Sequence, residues 1–242
     1  AGGTPVPVDS YPDFRIRADR VENQITKKTK MLILSSPANP TGAVLSEGDL
    51  RDAVALAKKH DLLILSDEIY KSFAYDKQKP GAIYSAGELY EKTIVLRGFS
   101  KSHAMTGWRI GYAIAPDVIL QQMLKLQQHS YICAPAPFQW AALSALDVSM
   151  ADQLAAYRRK RDLVVQKLSK KFELTAPGGA FYCFPKAPNG MTSTDFVTKA
   201  IENNVLVIPG NVFSEADTHF RVSYAASDNK LVAGCDILCS LV

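Results

Sequence analysis

Four strand-length apolar runs constrain what this chain can fold into: Met31-Leu32-Ile33-Leu34, Leu62-Leu63-Ile64-Leu65, Thr93-Ile94-Val95-Leu96 and Gly111 to Ala115. None alternates apolar with polar residues, so none can keep one face in water. Between the first two lies Leu50 to His60, where Leu50, Val54 and Ala57 recur at helical spacing and Lys58-Lys59 close the segment. Continuous runs separated by helices predict a mostly parallel sheet covered on both faces, a three-layer α/β architecture.

The pattern changes downstream. Asp117 to Ser130 reads as a helix, and Pro135 opens a longer helical stretch through Leu143, Leu154 and Leu163, with Asp147-Val148-Ser149 as a candidate break. Phe172-Glu173-Leu174 and Ala180 to Pro185 read as strands around the turn Pro177-Gly178-Gly179. A helix from Thr194 to Asn203, capped by Ser193 or Thr192, is followed by strands at Val205 to Ile208 and Phe220 to Tyr224 and by a closing helix from Asp228 to Leu241. That is the pattern of a small α+β domain. The expected division is 1–145 for part of a large sheet domain, 146–165 for a linking helix and 166–242 for the small C-terminal domain.

With 242 residues, 47% hydrophobic and 21% charged, the chain can bury a sizeable core. Its net charge of +4 is mild. The basic run Arg158-Arg159-Lys160-Arg161 spreads over a solvated helix face, so no nucleic-acid partner is expected. The longest apolar stretches are strand-sized, which leaves no transmembrane span and no expected membrane partner. Cys133, Cys183, Cys235 and Cys239 form no CxxC, and the Cys235/Cys239 pair, four apart, has no nearby His. They are expected to be core thiols of a reducing compartment, the cytoplasm, with no metal bound.

In open parallel sheets, ligands bind beyond the carboxyl ends of strands. After the first run comes Ser36-Pro37-Ala38-Asn39-Pro40-Thr41-Gly42, which alone reads as a turn. After the second comes Ser66-Asp67-Glu68-Ile69-Tyr70. Asp67 there is either a helix cap or a carboxylate able to keep a pyridine nitrogen protonated, and Tyr70 is able to hydrogen-bond a phenolic oxygen. After the third comes Gly98-Phe99-Ser100-Lys101, with Arg109 eight residues on. An amine in a weakly charged, buried turn is a nucleophile toward a carbonyl, and a guanidinium beyond it is a fork for phosphate. Amide, carboxylate, phenol, amine and guanidinium on successive strand ends make the complement that pyridoxal phosphate needs.

Four motifs, in order and at characteristic intervals, carry a resemblance: Ser-Pro-Ala-Asn-Pro-Thr-Gly, Ser-Asp-Glu-Ile-Tyr, Ser-Lys-x7-Arg-x-Gly-Tyr and Phe220-Arg221-Val222-Ser223-Tyr224-Ala225. Over nearly its whole length the chain resembles fold-type I, class I/II aminotransferases of the aspartate-aminotransferase superfamily. The resemblance implies a PLP-transferase large domain, here incomplete, and ping-pong transamination between an amino acid and a 2-oxo acid. Lys101 would form the internal aldimine with pyridoxal 5'-phosphate and then shuttle the proton. Asp67 would pair with the pyridinium nitrogen. Asn39 and Tyr70 would hydrogen-bond the ring oxygen. Arg109 would hold the phosphate with help from Ser100, and Arg221 would grip the substrate carboxylate. Tyr131, Phe181 and Tyr182 are further candidates for the substrate pocket.

Two departures stand out. Many relatives carry Ser or Thr three residues before the lysine, where this chain has Gly98. Members also begin well before a stretch like Ala1-Gly2-Gly3-Thr4, so the chain is expected to be the C-terminal part of an aminotransferase that is a homodimer when full-length. Two other readings share these motifs. One is a pyridoxal-phosphate lyase or synthase of the same superfamily, and the other is a non-enzymatic regulator that senses the cofactor. A nicotinamide-binding fold is disfavoured, because no GxGxxG follows a strand.

Overall fold

The apolar runs form one sheet. The computed structural model describes residues 2–75 and 85–242, which cluster into two compact units. The first comprises residues 15–37 and 45–150. Its elements are α1 (Ala18–Glu22), β1 (Met31–Ser35), α2 (Glu47–Lys59), β2 (Leu63–Asp67), α3 (Ala86–Leu89), β3 (Thr93–Gly98), α4 (Phe99–Ser102), β4 (Gly111–Ile114), α5 (Asp117–Ser130) and α6 (Ala136–Ala145). The strand order is β1-β2-β3-β4. The first three are parallel, with Ser35 opposite Asp67 and Asp67 opposite Leu96. β4 returns antiparallel to β3, with Arg97 opposite Tyr112 and Gly98 opposite Gly111. The expected mostly parallel sheet therefore carries one antiparallel strand, because an apolar run has no direction written into it.

The core of this unit gathers Leu34, Leu50, Val54, Ala57, Leu62, Ile64 and Tyr90, all buried. α2 packs there because Leu50, Val54 and Ala57 share one face. Its start is fixed by a capping box in which the Ser46 hydroxyl accepts from the Asp49 amide and the Asp49 carboxylate accepts from the Ser46 amide. Arg15 forks onto the same carboxylate at 2.7 and 3.0 Å. Burial acts to raise the Asp49 carboxyl, but the Arg15 and Ser46 hydrogen bonds outweigh it and hold the group below its ordinary range.

The second unit comprises residues 1–14, 38–44 and 151–242. It contains α7 (Ala151–Leu168), β5 (Tyr182–Cys183), α8 (Ser193–Glu202), β6 (Ile208–Pro209), β7 (Phe220–Ser223) and α9 (Asp228–Ser240). The strands form an antiparallel sheet in the order β5-β7-β6. Phe172, Phe196 and Phe220 pack ring against ring in this unit, where Val164, Leu168 and Leu238 are also fully buried. Thr192 caps α8, accepting from the Asp195 amide. Phe172 to Leu174, expected as a strand, belongs to none, although Phe172 is a core ring.

These units do not follow the contiguous division expected from the sequence. The long helical stretch breaks at Asp147 to Ser149, as its composition suggests, and all of α7 joins the second unit. Residues 2–14 join it too. The Tyr11 hydroxyl donates to Glu173 at 2.6 Å, Thr175 donates to the Pro12 carbonyl, and Tyr11 and Phe14 set their rings edge-on to His219. The four cysteines are free thiols. Burial pushes Cys235 up to about 11 and Cys183 higher, so both stay protonated and unreactive.

The segment 38–44 is held to the second unit through Gly42. Its φ of +70° is a left-handed conformation, and its carbonyl accepts from the Gly179 amide at 2.9 Å. A Cβ there would lie 2.3 Å from the Pro177 Cβ and 2.7 Å from the Tyr182 carbonyl oxygen. Left-handed backbone strain and a clash with fixed atoms act together in Gly42→Ala. We expect that substitution to lower stability by about 2–5 kcal/mol, read as a fall in the denaturant midpoint. An unchanged midpoint would show that this packing does not hold the segment.

Candidate active site

In the first unit, the candidate residues sit where β2 and β3 end. Asp67 is the last residue of β2, opposite Ser35 on one side and Leu96 on the other. Its Oδ1 accepts from the Ile69 amide at 3.1 Å, a turn that carries the chain off the strand. Tyr70 follows in that turn and is 4% exposed. Ser100 and Lys101 lie in α4, the single turn that begins directly after β3. Both are half-buried, so Lys101 is less enclosed than the buried turn expected for it. Arg109 follows the short 3-10 turn Thr106–Trp108 in a left-handed conformation with φ of 51°. It is exposed, and its Nη1 donates to the Thr106 carbonyl at 2.9 Å.

Gly98 acquires a steric reason. It pairs with Gly111 across β3 and β4, and a Cβ on it would lie 3.0 Å from Ile69 Cδ1 and 3.3 Å from the Gly111 Cα. The strands approach closely just before the lysine turn, and a Ser or Thr side chain at 98 would crowd both neighbours.

The second unit holds the other two residues, and there they touch. Arg221 lies on β7, and its Nη1 donates to Asn39 Oδ1 at 2.8 Å. The guanidinium lies between two rings, 4.5 Å from the centroid of Tyr182 and 4.9 Å from that of Phe213. The Arg221 Nε is buried without a hydrogen-bond partner. A buried cationic donor left open costs free energy unless something accepts from it, and a carboxylate matches an arginine edge in both charge and geometry.

Of the further pocket candidates, Tyr182 is the one stacked on the guanidinium. Phe181 lies beside Tyr182, with ring centroids 4.7 Å apart, and Tyr131 is 70% exposed after α5. Three side chains that the sequence reading did not single out belong to these surroundings. Phe213 is the second ring on Arg221. Glu68, buried, and Arg97, partly buried, form an ion pair at the β2 and β3 ends, with Arg97 Nη2 at 2.8 Å from Glu68 Oε2. Glu68 was visible in its motif next to Asp67. No local pattern marks Arg97 or Phe213.

Comparison with known proteins bears on the arrangement. An aromatic-amino-acid aminotransferase of Thermococcus litoralis is 39% identical, matching 98% of this chain and 64% of its own length. An aspartate aminotransferase of Pyrococcus abyssi gives the same identity and the same two shares. The crystal structure of an aromatic aminotransferase from Pyrococcus horikoshii superposes with a TM-score of 0.92 at 35% identity, over 98% of this chain and 66% of that one. The chain thus spans a little under two thirds of the length of these relatives. The family model described as aminotransferase class I and II matches residues 1–238. The members of that family use pyridoxal 5'-phosphate, and the match over almost every residue shows that this chain belongs to it.

Proposed function

We propose that this chain carries the lysine-bearing part of an aminotransferase that works between an amino acid and a 2-oxo acid with pyridoxal 5'-phosphate. The observation that carries the proposal is the pairing of neighbouring strand ends, with Asp67 closing β2 and Lys101 in the turn that follows β3. The donor set fits the cofactor. Lys101 supplies an amine for its aldehyde, Asp67 a carboxylate for its ring nitrogen, Tyr70 and Asn39 hydrogen bonds for its ring oxygen, and Ser100 and Arg109 donors for its phosphate. When bound, the cofactor supplies an electron sink for the electrons left at the substrate Cα. Asp67 would hold a proton on the ring nitrogen. Lys101 would take the Cα proton and return it to the former aldehyde carbon on the far side of the nitrogen. Arg221, flanked by Tyr182 and Phe213, would receive the substrate carboxylate. We assign the full-length protein to the cytoplasm as a homodimer. Among the described residues, no helix is long and apolar enough to cross a membrane.

The test is a titration of the chain with pyridoxal 5'-phosphate, followed by addition of single amino acids and then a second 2-oxo acid. The expected result is a visible absorption band at one cofactor per chain, then one oxo acid formed for each amino acid consumed. Absence of the band at saturating cofactor overturns the proposal for this chain. Release of ammonia or carbon dioxide in place of the oxo acid moves it to lyase chemistry.

A further inference from the structure

The Asp67-to-Tyr70 turn and the Lys101 turn leave different strands, and one buried group is attached to both. Glu68 is 5% exposed. Its Oε2 accepts from Arg97 Nε at 3.0 Å and from Arg97 Nη2 at 2.8 Å, and Lys71 Nζ lies 3.5 Å from the same oxygen. Its Oε1 accepts from the hydroxyls of Ser66 and Ser85. Its amide donates to the Leu96 carbonyl at 2.9 Å. One carboxylate thus ties the end of β2, the turn after it, the cap of α3 and the end of β3. Glu68 adjoins Asp67, and Arg97 is four residues before Lys101.

Stability alone is a poor reason for such a pair. Two charges removed from water roughly break even against apolar residues of the same volume. What a fully satisfied fork adds is a fixed geometry, since each partner has one arrangement in which all its hydrogen bonds are made. Gly98 and Gly111 increase the need for it, because β3 and β4 pass each other there without side chains to interlock.

We infer that Glu68 and Arg97 are a shared positioning pair that keeps the Asp67 turn and the Lys101 turn in fixed register with each other. This rests on the cofactor reading proposed above for the purpose served, but not for the physical coupling. Neither residue is assigned contact with cofactor or substrate.

The experiment compares backbone hydrogen exchange and cofactor affinity in Glu68→Gln, Arg97→Lys and Asp49→Asn. The glutamine keeps the shape and the serine hydrogen bonds but loses the charge-assisted ones. We expect amide exchange at 67–70 and at 98–102 to speed up together by about tenfold in Glu68→Gln, and the cofactor to bind about tenfold more weakly. Arg97→Lys keeps the charge and loses the two-pronged hold, so both turns are expected to exchange about threefold faster, which decides the matter if Glu68→Gln fails to fold. Asp49→Asn breaks a separate buried acidic network of this unit and is expected to leave both turns unchanged. The inference is overturned if Glu68→Gln merely melts lower with both turns unaltered, or if one turn loosens alone. If the wild-type chain attaches the cofactor to a lysine other than Lys101, the function reading fails, while exchange in the two turns still decides whether the pair couples them.

Discussion

Lys101→Ala is expected to abolish covalent retention of pyridoxal 5'-phosphate and to lower transamination by about 10⁴-fold or more, since in the proposed function one side chain supplies both the attachment and the general base. The fold should tolerate the change. Lys101 is half-buried in a one-turn helix, and alanine is the residue most compatible with helical backbone. The core residues nearby, Phe99, Met105 and Ile110, belong to a cluster that does not include the lysine. Loss of chemistry with an unchanged melting temperature is therefore the expected signature. The check is borohydride reduction followed by denaturation and peptide mapping. In the unmodified chain the cofactor stays on the peptide carrying Lys101, and in the variant no peptide keeps it. A variant that retained the visible band and a reduced adduct would show that another amine does this work.

What the sequence made legible was whatever repeats or clusters locally. β1, β2 and β3 were readable because each is a continuous apolar run, and the break between α6 and α7 because Asp147-Val148-Ser149 interrupts a helical pattern. Asp67 and Lys101 were readable because a strand followed by a polar residue puts that residue on the rim. The direction of β4 was not readable, since a run of apolar residues looks the same from either end. Nor was the adherence of residues 2–14 to the second unit. Tyr11 meets Glu173 across 162 residues of sequence, and nothing near Tyr11 announces its partner. Phe172 shows the converse error. Its apolar neighbourhood suggested a strand, but the residue is buried as a ring in an aromatic cluster and takes no part in a ladder. The Glu68–Arg97 pair lies between these cases. One partner stands in a motif and the other is an unmarked arginine on an apolar strand, so the pair existed only once β2 and β3 were laid side by side.

Arg221→Ala is expected to raise KM for amino acids and 2-oxo acids by about 100-fold, the usual scale for truncating one partner of a buried, hydrogen-bonded charge pair. Three features of its setting argue for so large an effect. Tyr182 and Phe213 hold the guanidinium between their rings, so little rotational freedom remains to be lost when a carboxylate arrives. Asn39 takes up Nη1 from one side, which fixes the rotation of the plane. The buried Nε has no partner, so an incoming carboxylate supplies a missing acceptor instead of displacing one. Arg221→Lys separates charge from geometry. It keeps the cation but offers neither a planar fork nor a flat face to stack, and it should recover only a minor part of the loss. If the lysine variant restores KM fully, a point charge suffices and the stacked fork has no role. If the alanine variant leaves KM for both substrates unchanged, the carboxylate is received by another residue. A cofactor band that persists in both variants keeps this result independent of Lys101, since the two residues belong to different units of the chain.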